Sequence, residues 1–309
     1  MTALTEVAAH LAPEPVRIAD MAPRLRLSDR DLALFHRYFG LKEVRLAPDA
    51  DLRDQIVAAA RELTGLQGNE QRVKYVVSAR TIPLCARASE NPVHVAADEL
   101  GLAHAEVFTV TQQACASGLA AVDLAGRLLA EDGDPDALAL VLTGEKALWH
   151  RSQMLPGTTV MGESSAACLV SARGSGDVLR SYVTRTFGEY YNVDLPAPHG
   201  EEFERQYPHM LTSVIREAVE AAGIELEDLA WILPHNVNRI SWARAAKMLG
   251  FPRSRIYLDN VPLLGHSFCA DPFVNFAGLR DSGQLRTGDF YLTAVVGLGA
   301  TFAAAVFRH

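Results

Sequence analysis

Four cysteines, Cys85, Cys115, Cys168 and Cys269, are too few and too widely spaced for a disulfide framework, and no two form the Cys-x-x-Cys pair of a zinc site. Free thiols in a reducing compartment are the expectation. No apolar run reaches the roughly 18 residues of a membrane span. The stretch from Met1 to Ala22 is interrupted by Glu6 and Glu14 and has no signal-peptide core, so a soluble, cytoplasmic protein is predicted. Basic residues are outnumbered, 29 against 37 acidic ones, for a net charge of −8. No basic run is interleaved with aromatics, which argues against nucleic acid as a partner. Aromatics are sparse at 7%, yet 49% hydrophobic content is ample for a large core. No tract is of low complexity.

What is present is a pattern used twice. A helical stripe (Leu52, Ile56, Val57, Ala60, Leu63) precedes a short apolar strand, Val73 to Val77; later, Leu211, Val214, Ile215, Ala218, Val219 and Ala222 mark a helix that Gly223 ends, followed by the strand Trp231-Ile232-Leu233. In the first copy the next strand, Glu106 to Val110, leads to Cys115; in the second, Arg255 to Leu258 is read as a strand leading to Gly265-His266-Ser267. Ser117 to Ala130 is apolar on nearly every face, as a helix buried between layers must be. Ala137 to Leu142, Ala166 to Val170, Phe290 to Val296 and Phe302 to Phe307 read as strands covered on both sides. Strands alternating with helices predict a mostly parallel α/β architecture, with a boundary in the polar joint Ser171 to Asp177 that divides the chain into 1–171 and 172–309. Pro196 to Arg205 is expected to be irregular and exposed.

Cys115 stands where a strand pattern gives way to a helical one, in Gln112-Gln113-Ala114-Cys115-Ala116-Ser117-Gly118. A lone Cys between alanines is ordinarily a packing residue. At a helix N-terminus, though, backbone N–H groups and the helix dipole favour the thiolate, the nucleophilic form. His235 (Leu233-Pro234-His235-Asn236) and His266 each follow a predicted strand, and the crevice beyond strand carboxyl ends is where α/β sheets bind ligands. One thiol and two imidazoles supply the nucleophile, base and charge stabiliser that acyl transfer needs. The glycines of Val296-Gly297-Leu298-Gly299 can turn a bare N–H towards an oxyanion; no Lys-Ser/Thr follows them, so they are not a phosphate loop.

These ordered pieces, Ala114 to Gly118, Thr158 to Ala167, Trp231 to Asn238, Gly265-His266-Ser267 and Gly297-Leu298-Gly299, resemble the thiolase superfamily, and within it ketosynthase III (β-ketoacyl-acyl-carrier-protein synthase III), over nearly the whole chain. The resemblance implies a thiolase fold, a five-layer αβαβα sandwich of two duplicated halves, forming a homodimer with a tunnel for a phosphopantetheine arm. It places the nucleophile at Cys115 and a catalytic histidine at His235. An oxyanion hole would be made by the N–H groups of Cys115 and Leu298.

The family's asparagine falls on His266. In ketosynthase III that His and Asn pair holds the thioester oxygen while a malonyl group loses carbon dioxide, whereas a second imidazole can take a proton from an incoming alcohol or amine. Glu163-Ser164, where the family carries Asp and Gly, and Leu298 within the glycine triplet depart as well. The chain is therefore similar to a subgroup of ketosynthase III-like acyltransferases from natural-product pathways. They load an acyl group from an acyl carrier protein or acyl-CoA onto the cysteine and pass it to an O or N nucleophile of a small secondary-metabolite acceptor. Asn238, Arg239, Arg244 and Lys247 would hold the pantetheine arm and an acidic carrier or coenzyme A phosphates. By their spacing, three and five residues beyond His266, Cys269 and Asp271 are candidates to support it, Asp271 as an orienting carboxylate. No bound cofactor and no metal are expected. Decarboxylative condensation with a malonyl thioester is the alternative, and an inactive partner subunit the second.

Overall fold

The computed structural model describes residues 1–83, 87–174, 176–192 and 199–309; Cys85 and Pro196 to Pro198 lie outside them. Nine strands make the main sheet: β1 (Ala3–His10), β2 (Val73–Ala79), β3 (Glu106–Val110), β4 (Leu138–Thr143), β5 (Ser165–Ser171), β6 (Asp177–Thr186), β7 (Leu229–Pro234), β8 (Phe290–Gly297) and β9 (Thr301–Arg308). Their order is β7-β8-β9-β6-β1-β5-β4-β2-β3. Each half repeats one scheme. In the first, β2 pairs parallel with β3 and β4, and the antiparallel pairs β4/β5 and β5/β1 follow. In the second, β7 pairs parallel with β8, and the antiparallel pairs β8/β9 and β9/β6 follow. The halves meet where Ala3 and Leu4 of β1 pair with Val178 and Asp177 of β6.

Period-two alternation sends successive side chains to opposite faces and so builds layers. Leu138, Leu140 and Leu142 pack outward with α1 (Leu52–Arg61) and α2 (Pro92–Glu99), while Ala139 and Val141 face inward onto α3 (Ser117–Asp132). Phe302, Ala304 and Val306 face outward onto α4 (His199–Ala221) and α5 (Arg239–Leu249), while Ala303, Ala305 and Phe307 share the inner core with α6 (Asp271–Asp281). The result is five layers with α3 and α6 in the middle. Tightness there is extreme at Gly118 of α3, where a Cβ would lie 2.8 Å from the Cys269 carbonyl oxygen, just ahead of α6.

Four expectations are corrected. The main sheet is not mostly parallel: three of its eight pairings are parallel and five antiparallel, since each half adds antiparallel strands beside its parallel ones. Arg255 to Leu258 is not a strand: Arg253–Arg255 forms a 3-10 turn, and only Ile256 bridges, in parallel, to Ile232 of β7. Consequently His266 does not follow a strand but comes after the short helix Val261–Leu264. Of the supposed irregular stretch, residues 199–205 are the first turns of α4. No helix among the described residues is long and apolar enough to cross a membrane.

Candidate active site

After β3 the chain enters the left-handed region at Gln112 (φ 73°) and Ala114 (φ 47°), a conformation costing roughly 1 kcal/mol or more for each residue with a Cβ. The turn Ala114–Ala116 then runs into α3 at Ser117, so Cys115, only 2% exposed, sits at the positive end of a helix. From the other half, Asp271 is the first residue of α6. Its carboxylate likewise lies at a helix N-terminus.

Between these two acids stands His266. Its Nε2 is 3.2 Å from the Cys115 sulfur and its Nδ1 is 2.5 Å from Asp271 Oδ2. Since a carboxylate oxygen only accepts, Nδ1 carries a proton and Nε2 is turned to the thiol. Asp271 also accepts from the Asn236 N–H (2.5 Å), the Ser267 N–H (2.7 Å) and Asn236 Nδ2 (3.3 Å). Behind it, Asn275 ties Asn236 to Asn260 and to the Pro234 carbonyl. The backbone of His266 is clamped by residues 160–162: its N–H donates to the Val160 carbonyl, and its own carbonyl accepts from Gly162 N–H. Gly162 is required there, because a Cβ would lie 2.2 Å from the Leu264 carbonyl oxygen. Burial is the largest single influence on the ring and pushes its pKa down, but the charges and hydrogen bonds of Asp271 and Cys115 together outweigh it, and His266 stands at about 10. Asp271, His266 and Cys115 thus form a row in which an imidazolium is held between a carboxylate and a sulfur.

His235, at the end of β7, has its ring centroid 6.0 Å from that of His266. Burial, reinforced by the charge of His266, pushes His235 down to about 4, so it is neutral near pH 7. Its Nε2 lies 3.2 Å from the hydroxyl of Tyr207 on α4, and its Nδ1 3.4 Å from the Ala294 carbonyl.

Thr81, two residues past β2, donates its hydroxyl to the Cys115 sulfur at 3.3 Å and lies 3.5 Å from the sulfur of Cys269. The Thr81 loop is pinned by Glu145, which accepts from the N–H groups of Thr81 and Ile82 and pairs with the buried Arg80 guanidinium. Burial pushes the Glu145 carboxyl up, with Arg80 opposing it.

Gly297 presses on the Cys115 loop: a Cβ would fall 1.9 Å from the Gln113 carbonyl oxygen. Leu298, in the turn that follows, is 40% exposed. Asn238 caps α5 by accepting from Ser241 N–H, and its amide donates to the Thr158 carbonyl. Arg239 crosses Gly40, while Arg244 and Lys247 are exposed on the same helix. The departures around Glu163 are structural: its carboxylate accepts from Lys146 and from the N–H groups of Ala47 and Ala147. Among the described residues no group of His, Cys, Asp or Glu is arranged to hold a metal ion.

Residues 219–309 match the family of 3-oxoacyl-[acyl-carrier-protein] synthase III C-terminal regions. The chain is 24% identical to the β-ketoacyl-[acyl-carrier-protein] synthase III of Rhizorhabdus wittichii, across 93% of this chain and 96% of that protein. Over nearly its whole length the chain is thus similar to ketosynthase III. The fold of this ketosynthase III-like chain is shared with the solved acyltransferase ChlB3 (TM-score 0.86, 20% identity, 99% and 97% of the two chains covered). It is shared also with the 3-oxoacyl-[acyl-carrier-protein] synthase III of Aquifex aeolicus (TM-score 0.85, 18% identity, both chains covered in full). Relatives and structural neighbours therefore include both synthases and an acyltransferase by name.

Sequence reasoning missed several residues around the site of this ketosynthase III-like chain: Thr81, Tyr207, Glu145, and the Asn236–Asn275 pair behind Asp271. Thr81 lay within reach, since it stands just past a strand's carboxyl end, the same position that singled out His235. Tyr207 had only the i, i+4 aromatic pair Phe203–Tyr207 on α4 to mark it.

Proposed function

We propose that this chain is an acyltransferase that moves an acyl group from a phosphopantetheine thioester, on acyl carrier protein or coenzyme A, through Cys115 to a hydroxyl or amine of a small acceptor. The Asp271–His266–Cys115 row carries this reading. The sulfur attacks the thioester carbonyl, and the departing pantetheine thiolate takes the Nε2 proton of His266, leaving Cys115 acylated. An incoming alcohol or amine then gives its proton to the same nitrogen as its heteroatom attacks, and Cys115 leaves as thiolate. Asp271 keeps Nδ1 protonated throughout and stabilises the imidazolium at both stages. The family's asparagine, at the position of His266, has no such basic nitrogen. The acyltransferase name of one full-length structural neighbour supports the same class.

The backbone N–H of Cys115 and that of Leu298, beyond the closely packed Gly297, are assigned to the oxyanion. Exposed Arg244 and Lys247, with Arg239 and Asn238 at the start of the helix, are assigned to the donor's acidic carrier or phosphates. The outer edge of β3, which among the described residues pairs only with β2, is assigned to a second copy in a homodimer.

Intact-mass measurement after incubation with a panel of acyl thioesters, followed by a chase with amines, alcohols or malonyl thioester, tests the reading. The expected result is an acyl mass on Cys115 that amines or alcohols remove. Acyl uptake by a Cys115→Ala variant would sink it. A second reading, malonyl condensation, is favoured by the synthase III names of the relatives; it requires carbon dioxide release coupled to product.

A further inference from the structure

We propose that Tyr207 is a positioning residue that holds His235 in the tautomer with a bare lone pair on Nε2, and thereby sets the site against malonyl condensation. The inference rests on the transfer reading above and says which residue enforces it.

Two neighbours fix the ring's proton. Nδ1 faces the Ala294 carbonyl oxygen at 3.4 Å, and a carbonyl can only accept, so the proton belongs on Nδ1. A neutral imidazole has a single N–H; Nε2 therefore presents its lone pair, and the Tyr207 hydroxyl at 3.2 Å donates to it. The opposite assignment sets a lone pair of Nδ1 against the lone pairs of a carbonyl in a buried site, where such a mismatch is costly. Burial and His266 keep the ring neutral, as its pKa of about 4 requires. The titratable groups facing His235 are Tyr207 from α4 and His266 and Asp271 from the segment entering α6.

Tyr207 is held to this task by packing. Its ring meets Phe302 edge-on at 5.4 Å and Phe203 at 5.8 Å, and Phe302 is fully buried in β9. The phenol thus has little freedom to swing away, and little entropy is lost in keeping the hydrogen bond. An Nε2 without a proton cannot donate to the oxygen of a decarboxylating malonyl thioester, the part that a family histidine at this position plays beside asparagine. With the phenol in place, the only imidazole among the described residues able to hand a proton to that side is His266, which is committed to Cys115.

Selective 15N-histidine labelling, with a His235→Gln spectrum to assign the signal, reads the tautomer without any substrate. Wild-type protein is expected to show a pyrrole-type Nδ1 and a pyridine-type Nε2 for His235; in Tyr207→Phe the Nε2 signal should lose its hydrogen-bond shift. In the same variant the ratio of carbon dioxide released from malonyl thioester to acyl loading on Cys115 should rise about tenfold, the weight of one neutral hydrogen bond. A protonated Nε2 in the wild type, or a Tyr207→Phe spectrum identical to wild type, overturns the assignment, and an unchanged ratio overturns its effect on specificity. Failure to find any transfer to alcohols or amines would count against the transfer reading instead, while the nitrogen spectrum still decides Tyr207.

Discussion

Replacing Asp271 by asparagine preserves size and removes charge, and its consequences can be worked from four hydrogen bonds. The carboxylate accepts from His266, from the N–H groups of Asn236 and Ser267, and from the Asn236 amide. An amide has one oxygen, so either way round its NH2 meets two N–H donors. Each buried donor left without an acceptor costs about 1–3 kcal/mol, so stability should fall by roughly 2–5 kcal/mol. Removing the charge also loosens the His266 proton. A group whose folded pKa is raised, here to about 10, contributes stability that is fully present below its unfolded value and is lost as pH rises through the folded one. Wild-type protein should therefore lose melting temperature steadily from neutrality towards pH of about 10, and Asp271→Asn should show a shallower slope. Breaking a buried charge pair costs about 3–5 kcal/mol; if most of this is felt when His266 is an imidazolium in the transition state, the chase of acyl-enzyme slows about 10²–10³-fold. Time-resolved intact mass of loaded protein measures the chase, and thermal melts across pH measure the slope. A variant that chases at the wild-type rate with the wild-type pH slope refutes the argument that Asp271 acts through the charge on His266.

His235 predicts the opposite limb. Its depressed pKa means stability present above the unfolded value of about 6.5 and lost as pH falls through about 4, a loss of about 3 kcal/mol. Urea titrations should show this in the wild type and not in His235→Gln. In Glu145→Gln the buried Arg80 loses its charge partner, at a cost of about 3–5 kcal/mol, and Thr81 is released from its place beside Cys115. Chemical denaturation should report the first effect and slower acyl loading the second; loading unchanged in well-folded protein would mean that the Thr81 hydroxyl is dispensable. Gly118→Ala forces a Cβ to within 2.8 Å of a backbone carbonyl. It should cost about 1–3 kcal/mol and depress loading together with stability, whereas a neutral effect on both would show that the central helices can part freely.

Much of this was legible because the core is written in simple periods. Leu138 to Leu142 are buried on both faces, and the stripe Leu52, Ile56, Val57, Ala60 needed only one neighbour to make it a helix. Cys115 and His266 announced themselves through adjacent small residues and turn signals. What failed was local pattern without tertiary support. Arg255 to Leu258 has the composition of a strand, yet only Ile256 finds a partner in β7, and so the direct route to His266 was misread. Ala3 to His10 was weighed for targeting and proved to be β1, the strand that joins the two halves. Tyr207 and Thr81 reach the site from 28 residues before His235 and 34 before Cys115, separations that no short-range period encodes.

The meeting of two helix starts at Gly118 and Cys269 has a consequence for how many sites the chain can have. A repeated half, by symmetry, offers two equivalent helix beginnings, room in principle for two reaction centres. In the proposed reaction both serve a single one: α3 brings the sulfur, and α6 brings the acid proposed to steady the base. Each copy is thereby chemically incomplete, and a protein assembled from two identical first halves would gather two thiols with no imidazole between them. On the proposed chemistry, the repeated scheme does not double the site but divides its labour between the two halves.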